Sequence, residues 1–289
     1  MADLYRTEAG RERIREWCTA RLNGWQVPHE TTLVETHLGR THVLQAGTGP
    51  AAVLYLPGTN FNTATSLTLL AHLSPHCRVL AVDLPGQPGL STPQRRRDAA
   101  TAYESWISDV RASPPMEGIV RVVLAGHSRG GFVALCADPA EWDGLVLLNP
   151  AGLARAVVGP AVLRTGVLWT LRPTEARTRA LLKLMVAAEH EPDPDLVSWL
   201  TLVAKETRTT GAPGPARHRF TDRWRPNPVV VLSGASDRFF PADRLAPAAR
   251  SRLGAEPEVL ANVGHLSVDE APAVVAERIL GTLSTTQST

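Results

Sequence analysis

Apolar residues change their spacing along this chain. Over residues 8–22, Ile14, Trp17, Cys18 and Leu22 fall on one helical stripe with arginines around it, which predicts an amphipathic helix. Segments 31–37 and 41–45 alternate apolar with polar residues on either side of Gly39, the pattern of a hairpin. From residue 51 the alternation gives way to short, almost unbroken apolar runs at 51–56, 79–82, 119–125 (interrupted by Arg121), 145–148 and 229–232. Each run is too short for a helix and too uniformly apolar for a sheet with one wet face. They are expected as strands buried on both sides. Helical patterns at 64–73, 98–112, 129–138, 242–251 and 267–282 lie between or after them. Strand and helix in turn build right-handed βαβ units, so the fold class expected is α/β with a mostly parallel sheet.

That turn-taking stops between Pro150 and Pro226. Here Leu181, Leu182, Met185 and Val186 form one helical stripe, Leu196, Trp199, Leu200 and Val203 another, and Gly211-Ala212-Pro213-Gly214-Pro215 reads as a loop. Because the chain leaves the sheet at Pro150 and re-enters it at Val229, the block is expected as an insertion rather than an independent domain. The division is then a core of residues 1–150 and 226–289, with a helical cap of residues 151–225 over one end of the sheet. The polar tail 284–289 is expected to fray.

Composition sets limits. The 289 residues are 44% hydrophobic and 20% charged, enough for a real core and unlike a disordered, collagenous or coiled-coil chain. With 30 basic and 28 acidic residues the formal charge is +2, no electrostatic footprint for nucleic acid. Every basic residue except Lys183 and Lys205 is an arginine, which reads as compositional bias. Cys18, Cys77 and Cys136 are scattered, lack the spacing of a zinc site and are expected as reduced thiols. The first residues are charged and helical rather than basic then apolar, and Arg155, Arg164 and Arg172 break the best apolar stretch. Neither a secretory leader nor a membrane span is therefore expected, and the expected location is cytoplasmic. No phosphate-binding loop, dinucleotide fingerprint or metal motif is seen.

The chemistry concentrates at Gly126-His127-Ser128-Arg129-Gly130-Gly131, which follows an apolar strand and opens a helix. Small residues flank the serine because a strained turn lifts its hydroxyl above the sheet edge, where neighbouring side chains would collide. A serine hydroxyl is a poor nucleophile at neutral pH and needs a base, and the base needs an orienting acid. The strand 229–232 runs into Ser233-Gly234-Ala235-Ser236-Asp237, and Ala261-Asn262-Val263-Gly264-His265 precedes the last helix. Ser128 is thus the expected nucleophile, His265 the base and Asp237 its orienter. His127 is set aside as the base because a turn residue cannot easily reach its neighbour's hydroxyl. Asn149, after the strand 145–148, is set aside as the acid because an amide carries no charge. The oxyanion is expected to meet the backbone N–H of Arg129, with Thr59 first and Asn60 second as the other donor.

Taken in order, Leu56-Pro57-Gly58-Thr59, Val82-Asp83-Leu84-Pro85-Gly86-Gln87-Pro88-Gly89-Leu90-Ser91, Gly126-His127-Ser128-Arg129-Gly130-Gly131, Ser236-Asp237 and Gly264-His265 resemble the α/β-hydrolase superfamily, most of all its capped, esterase-like serine hydrolases. The resemblance runs from about residue 31 to 282. It implies an eight-stranded sheet with a lid inserted after the sixth strand, and no cofactor. The family commonly has His-Gly where this chain has Pro57-Gly58. Ser128 itself argues against the aspartate-nucleophile relatives of the same fold.

The function expected is acyl transfer from a small-molecule ester, thioester or lactone to water through an acyl-enzyme on Ser128. An acyltransferase or cyclase would use the same three side chains with another acceptor, and a non-catalytic ligand-binding relative is the third reading. Phe61, Phe239 and Phe240 flank the oxyanion and acid loops and are expected to wall an apolar pocket, with Trp169 and Trp199 as further candidates. For Trp169, Trp199 and Trp224 alike the lid core is the first expectation. Arg95-Arg96-Arg97 reads as a solvated loop, with docking of an acidic carrier protein as its alternative.

Overall fold

The computed structural model describes residues 4–94, 99–208 and 211–285. The arginine run 95–97 and the end of the polar tail, 286–289, lie outside the described residues. Eight strands, β1 (His29–Thr36), β2 (Gly39–Ala46), β3 (Ala51–Leu56), β4 (Arg78–Val82), β5 (Arg121–His127), β6 (Gly144–Leu148), β7 (Val229–Gly234) and β8 (Glu258–Leu260), form one sheet in the order β1-β2-β4-β3-β5-β6-β7-β8. The β1–β2 hairpin joins antiparallel, and β4 through β8 pair in parallel.

Both faces of the central strands are buried, which is why their sequences show runs instead of alternation. Val53, Tyr55, Val123, Ala125, Val146 and Leu148 point into a core shared with α1 (Glu8–Asn23), α2 (Leu67–Leu73) and α11 (Pro272–Thr285). Leu54, Leu56, Val122, Leu124, Leu145 and Leu147 point to the other side, under α3 (Ala99–Arg111) and α4 (Arg129–Cys136). Each such side chain withdrawn from water contributes about 1.5–3 kcal/mol, so a polar residue on either face would be costly.

The differences from the sequence pattern have local causes. The helix expected at 267–282 is two helices, α10 (Ser267–Glu270) and α11, because Pro272 pushes Ala271 out of helical geometry to φ −139°, ψ 51°. The helix expected at 242–251 is α9 (Ala242–Ala248), which contains Pro247 and widens into a π turn over Ala249–Leu253. β8 escaped the pattern because it has three residues and leaves Val259 half exposed at the sheet edge.

Between β6 and β7 lie α5 (Pro160–Leu171), α6 (Glu175–Leu182), α7 (Pro194–Glu206) and α8 (His218–Thr221). On α7 the stripe Leu196, Trp199, Leu200 and Val203 is buried, and Trp199 meets Trp17 of α1 with ring centroids 4.6 Å apart. The other stripe is only partly helical: Met185 and Val186 fall beyond the end of α6. α5 differs from its neighbours. Trp169 is buried, whereas Leu163, Val167, Leu168 and Leu171 are exposed. Trp224 is fully buried and donates its indole N–H to Leu135 O at 3.3 Å. Among the described residues, no helix is long and apolar enough to cross a membrane.

Candidate active site

β5 delivers Gly126 and His127 to the carboxyl edge of the sheet, and α4 begins one residue after Ser128. Between them Ser128 sits at φ 50°, ψ −111°. A non-glycine residue in such a region costs on the order of 1–3 kcal/mol, so its surroundings must hold it there. They do so through its N–H, donated to Leu148 O at 2.9 Å, and its carbonyl, which accepts from the N–H groups of Gly131 and Ala151 at 3.0 Å each. The flanking glycines are a steric requirement. A Cβ on Gly126 would lie 2.4 Å from Gly130 O, and one on Gly130 only 2.0 Å from Leu56 O.

The loops after β7 and β8 bring Asp237 and His265 to the same point. His265 Nε2 lies 3.0 Å from Ser128 Oγ, and its Nδ1 lies 2.9 Å from Asp237 Oδ2. With a carboxylate facing it, Nδ1 carries the proton, which leaves Nε2 to accept from the serine hydroxyl. All three residues are buried. Asp237 Oδ2 also accepts from Asn149 Nδ2 at 2.9 Å, and Oδ1 accepts from the N–H groups of Phe239 and Phe240 at 2.8 and 3.0 Å. Burial alone would raise the Asp237 pKa. The electrostatic interaction with the His265 ring and its hydrogen bond, helped by the Phe240 N–H and the Asn149 amide, outweigh burial and hold the carboxyl at about 2.

The histidine loop is fastened from several directions. His127, kept neutral by burial and by His265 with its pKa lowered to about 3, donates from Nε2 to His265 O at 2.8 Å. Asn149 Nδ2 also reaches Gly264 O at 3.0 Å. The N–H of His265 donates to Met185 O at 2.6 Å, and the Glu270 carboxylate accepts from Gly264 N–H at 3.0 Å and Ala187 N–H at 2.7 Å. None of these supports was assigned from the sequence. The amide passed over as the acid turns out to hold the acid.

On the other side of Ser128 is the turn after β3. Asn60 stands at φ 64° with both main-chain polar groups engaged. Its N–H donates to Gln87 Oε1 at 3.0 Å and its carbonyl accepts from Trp199 Nε1 at 2.7 Å. The Asn60 N–H is therefore committed and unsuited to an oxyanion, while the Thr59 N–H meets no acceptor among the described residues. Gly58 brings this turn against the serine: a Cβ there would lie 3.4 Å from Ser128 Cβ. The 83–91 segment braces the turn, because the buried Asp83 carboxylate accepts from Thr63 N–H at 2.8 Å and Leu90 N–H at 2.7 Å.

The expected pocket aromatics divide. Trp169 and Phe239 line an apolar groove of about 500 Å³ with Val162, Leu163, Leu181 and Gly211. The Phe239 ring also packs on His265 at 5.2 Å, which places the groove beside the imidazole. Phe240, buried, packs on His265 at 5.7 Å, and Phe61 meets His127 edge-on at 6.4 Å. Trp199 is fully buried between α1 and the turn after β3, so it packs the interior instead of lining this groove.

Known proteins share both the fold and its order. The model of the alpha/beta hydrolase family matches residues 53–278. Carboxylesterase YbfK of Bacillus subtilis (strain 168) is 24% identical over 275 residues, covering 91% of this chain and 90% of that protein. The crystal structure of the Bacillus subtilis carboxylesterase CesB (YbfK) superposes with a TM-score of 0.80 at 21% identity, over 96% of this chain and 99% of the other. That of the Bacillus subtilis naproxen esterase gives 0.77 at 22% identity, over 93% and 96%. At such identities the structural likeness speaks for the fold, and the family match spans most of the sheet and every loop just described. This chain belongs to the alpha/beta hydrolase family.

Proposed function

We propose that this chain is a serine hydrolase that cleaves carboxylic esters, and by the same chemistry thioesters or lactones, through an acyl-enzyme on Ser128. The observation that carries the reading is the continuous hydrogen-bonded line from Ser128 Oγ through His265 to Asp237, at 3.0 and 2.9 Å. Ser128 Oγ attacks the carbonyl carbon while His265 Nε2 takes its proton. The resulting imidazolium is stabilised by Asp237, already ionised because its pKa is held at about 2. The developing oxyanion is met by the main-chain N–H groups of Arg129 and Thr59. The proton on Nε2 then passes to the leaving alcohol. Water, deprotonated by the same nitrogen, releases the acid.

The groove beside His265 suits the apolar portion of such an ester, with Phe239, Trp169 and Leu181 along its wall. Residues 151–225 act as the cap that roofs this groove, on a core made of 1–150 and 226–289. The relatives named carboxylesterases support the ester assignment. The test is hydrolysis of short activated esters, with fluorophosphonate labelling of the wild-type protein. Ser128→Ala is expected to lose labelling and to lower kcat by about 10⁵-fold or more. Substantial turnover by that variant overturns the proposal. Product analysis with added alcohol separates hydrolysis from acyl transfer to another acceptor.

A further inference from the structure

The side chain of Arg129 has no part in the mechanism above, which uses only its backbone. Yet Arg129 is almost wholly buried directly beside the nucleophile. Removing a guanidinium from water is expensive unless its donors are all directed to acceptors. Here Nε donates to Thr59 Oγ1 at 3.1 Å and Nη2 donates to Gly211 O at 2.7 Å, and the Tyr103 phenol is a third partner. These partners belong to three different parts of the chain. Thr59 lies in the turn after β3, Gly211 on the rim of the apolar groove, and Tyr103 on α3. The planar fork of arginine can span them at fixed angles, which the single ammonium of lysine cannot.

The side chain of Thr59 is tied differently from those around it. Asn60 is locked by Gln87 and Trp199, and Thr63 by Asp83, but no other side-chain hydrogen bond reaches Thr59 among the described residues. The Thr59 N–H shares its peptide plane with the Gly58 carbonyl, which accepts from Phe61 N–H at 3.2 Å, and the Arg129 link to the Thr59 hydroxyl is the second tie on its direction. We propose that the Arg129 side chain is the positioning residue of the oxyanion site, holding Thr59 so that its N–H faces the reacting carbonyl and anchoring that grip on Gly211 at the groove rim. This rests on the ester-hydrolase reading and assigns Arg129 a second role, through its side chain, independent of its own N–H.

The test is a double-mutant cycle in the full chain, with kcat and KM measured separately on a short activated ester. Arg129→Met and Thr59→Val both keep the two backbone donors and break the side-chain link. Each is expected to lower kcat by about 10–100-fold, as a displaced oxyanion donor does, with KM changed by less than about threefold. The double variant is expected to lose no more than the worse single one, because the two changes remove one interaction. Thr59→Ser, which restores the hydroxyl, is expected to recover most of kcat. Wild-type kcat in Arg129→Met, or losses that multiply in the double variant, overturns the assignment. If Arg129→Met fails to fold, the contrast between Thr59→Val and Thr59→Ser decides alone: equal kcat in the two overturns it. Wild-type turnover and its loss in Ser128→Ala are measured alongside. Failure of that control overturns the ester reading and this assignment together, whereas an active wild type with unaffected variants overturns only the role of Arg129.

Discussion

Ser128 stands between two unlike regions. Toward Asp237 and His265 the groups proposed to work are side chains, two of them ionisable, and their geometry follows from two hydrogen bonds among four atoms. Toward Thr59 the groups proposed to work are main-chain N–H donors, and the side chains there bond to the turn's backbone and hydroxyl: Gln87 and Trp199 to Asn60, Asp83 to Thr63, and Arg129 to Thr59. The first region concentrates its function in a few atoms that no other residue can replace. The second spreads it over supports, each of which is partly redundant. Substitutions should therefore cause steep losses on the first side and graded ones on the second.

The comparison can be tested at four depths. The largest effect is expected from Asp237→Asn, which leaves the shape intact and removes the charge that orients and stabilises His265. It should lower kcat by about 10³–10⁴-fold with little change in KM, measured by steady-state ester hydrolysis. Next, Gln87→Leu releases the Asn60 N–H and leaves it buried without an acceptor; a kcat loss of about 10–100-fold is expected. A loss as steep as that of Asp237→Asn would erase the distinction between the two regions. A smaller effect, about tenfold in kcat, is expected from Glu270→Gln, which weakens the grip on Gly264 and Ala187 while His127 and Asn149 still hold the histidine loop.

The smallest catalytic effect is expected one residue earlier. Asp269 has its pKa pushed up to about 8, by burial first and then by the negative charges of Asp193 and Glu270. Below about pH 8 the folded chain keeps a proton that the unfolded chain has already released near pH 4. Folding stability attributable to this group thus falls as pH rises from about 4 to 8 and levels off above. Asp269→Asn should leave kcat near wild type and raise the melting temperature, by more at pH 8 than at pH 5. Equal shifts at both pH values in thermal scans would remove Asp269 as the cause.

The same division explains what the sequence made legible. Buried parallel strands announce themselves because both faces must be apolar, as at 51–56 and 145–148. The elbow is legible because sterics leave no choice at Gly126 and Gly130. Asp237 and His265 could be looked for beside Ser128 because the proposed chemistry calls for those side-chain types, and the fold brings the three together. By contrast, nothing in the residue type of Asn149, Glu270 or Gln87 says that it will meet a particular backbone group, since those encounters join positions up to 115 residues apart. Asn60 was expected as an alternative donor, and only the fold shows that its N–H is already committed. Trp199 read either as lid core or as pocket wall for a similar reason: large and apolar fits a cavity or an interior equally well until the packing partner, Trp17, is known.

The link from His265 N–H to Met185 O, doubled by Glu270 on Ala187, also joins the histidine loop to a distant part of the chain. Those anchors sit after α6, in the middle of the stretch that interrupts the strand series, so the histidine loop lacks part of its fastening until that stretch has docked. A molecule whose sheet had formed while these helices were still loose would look nearly native to a probe of backbone structure and yet turn over more slowly than the folded chain. Recovery of turnover during refolding should accordingly lag behind recovery of the β-sheet.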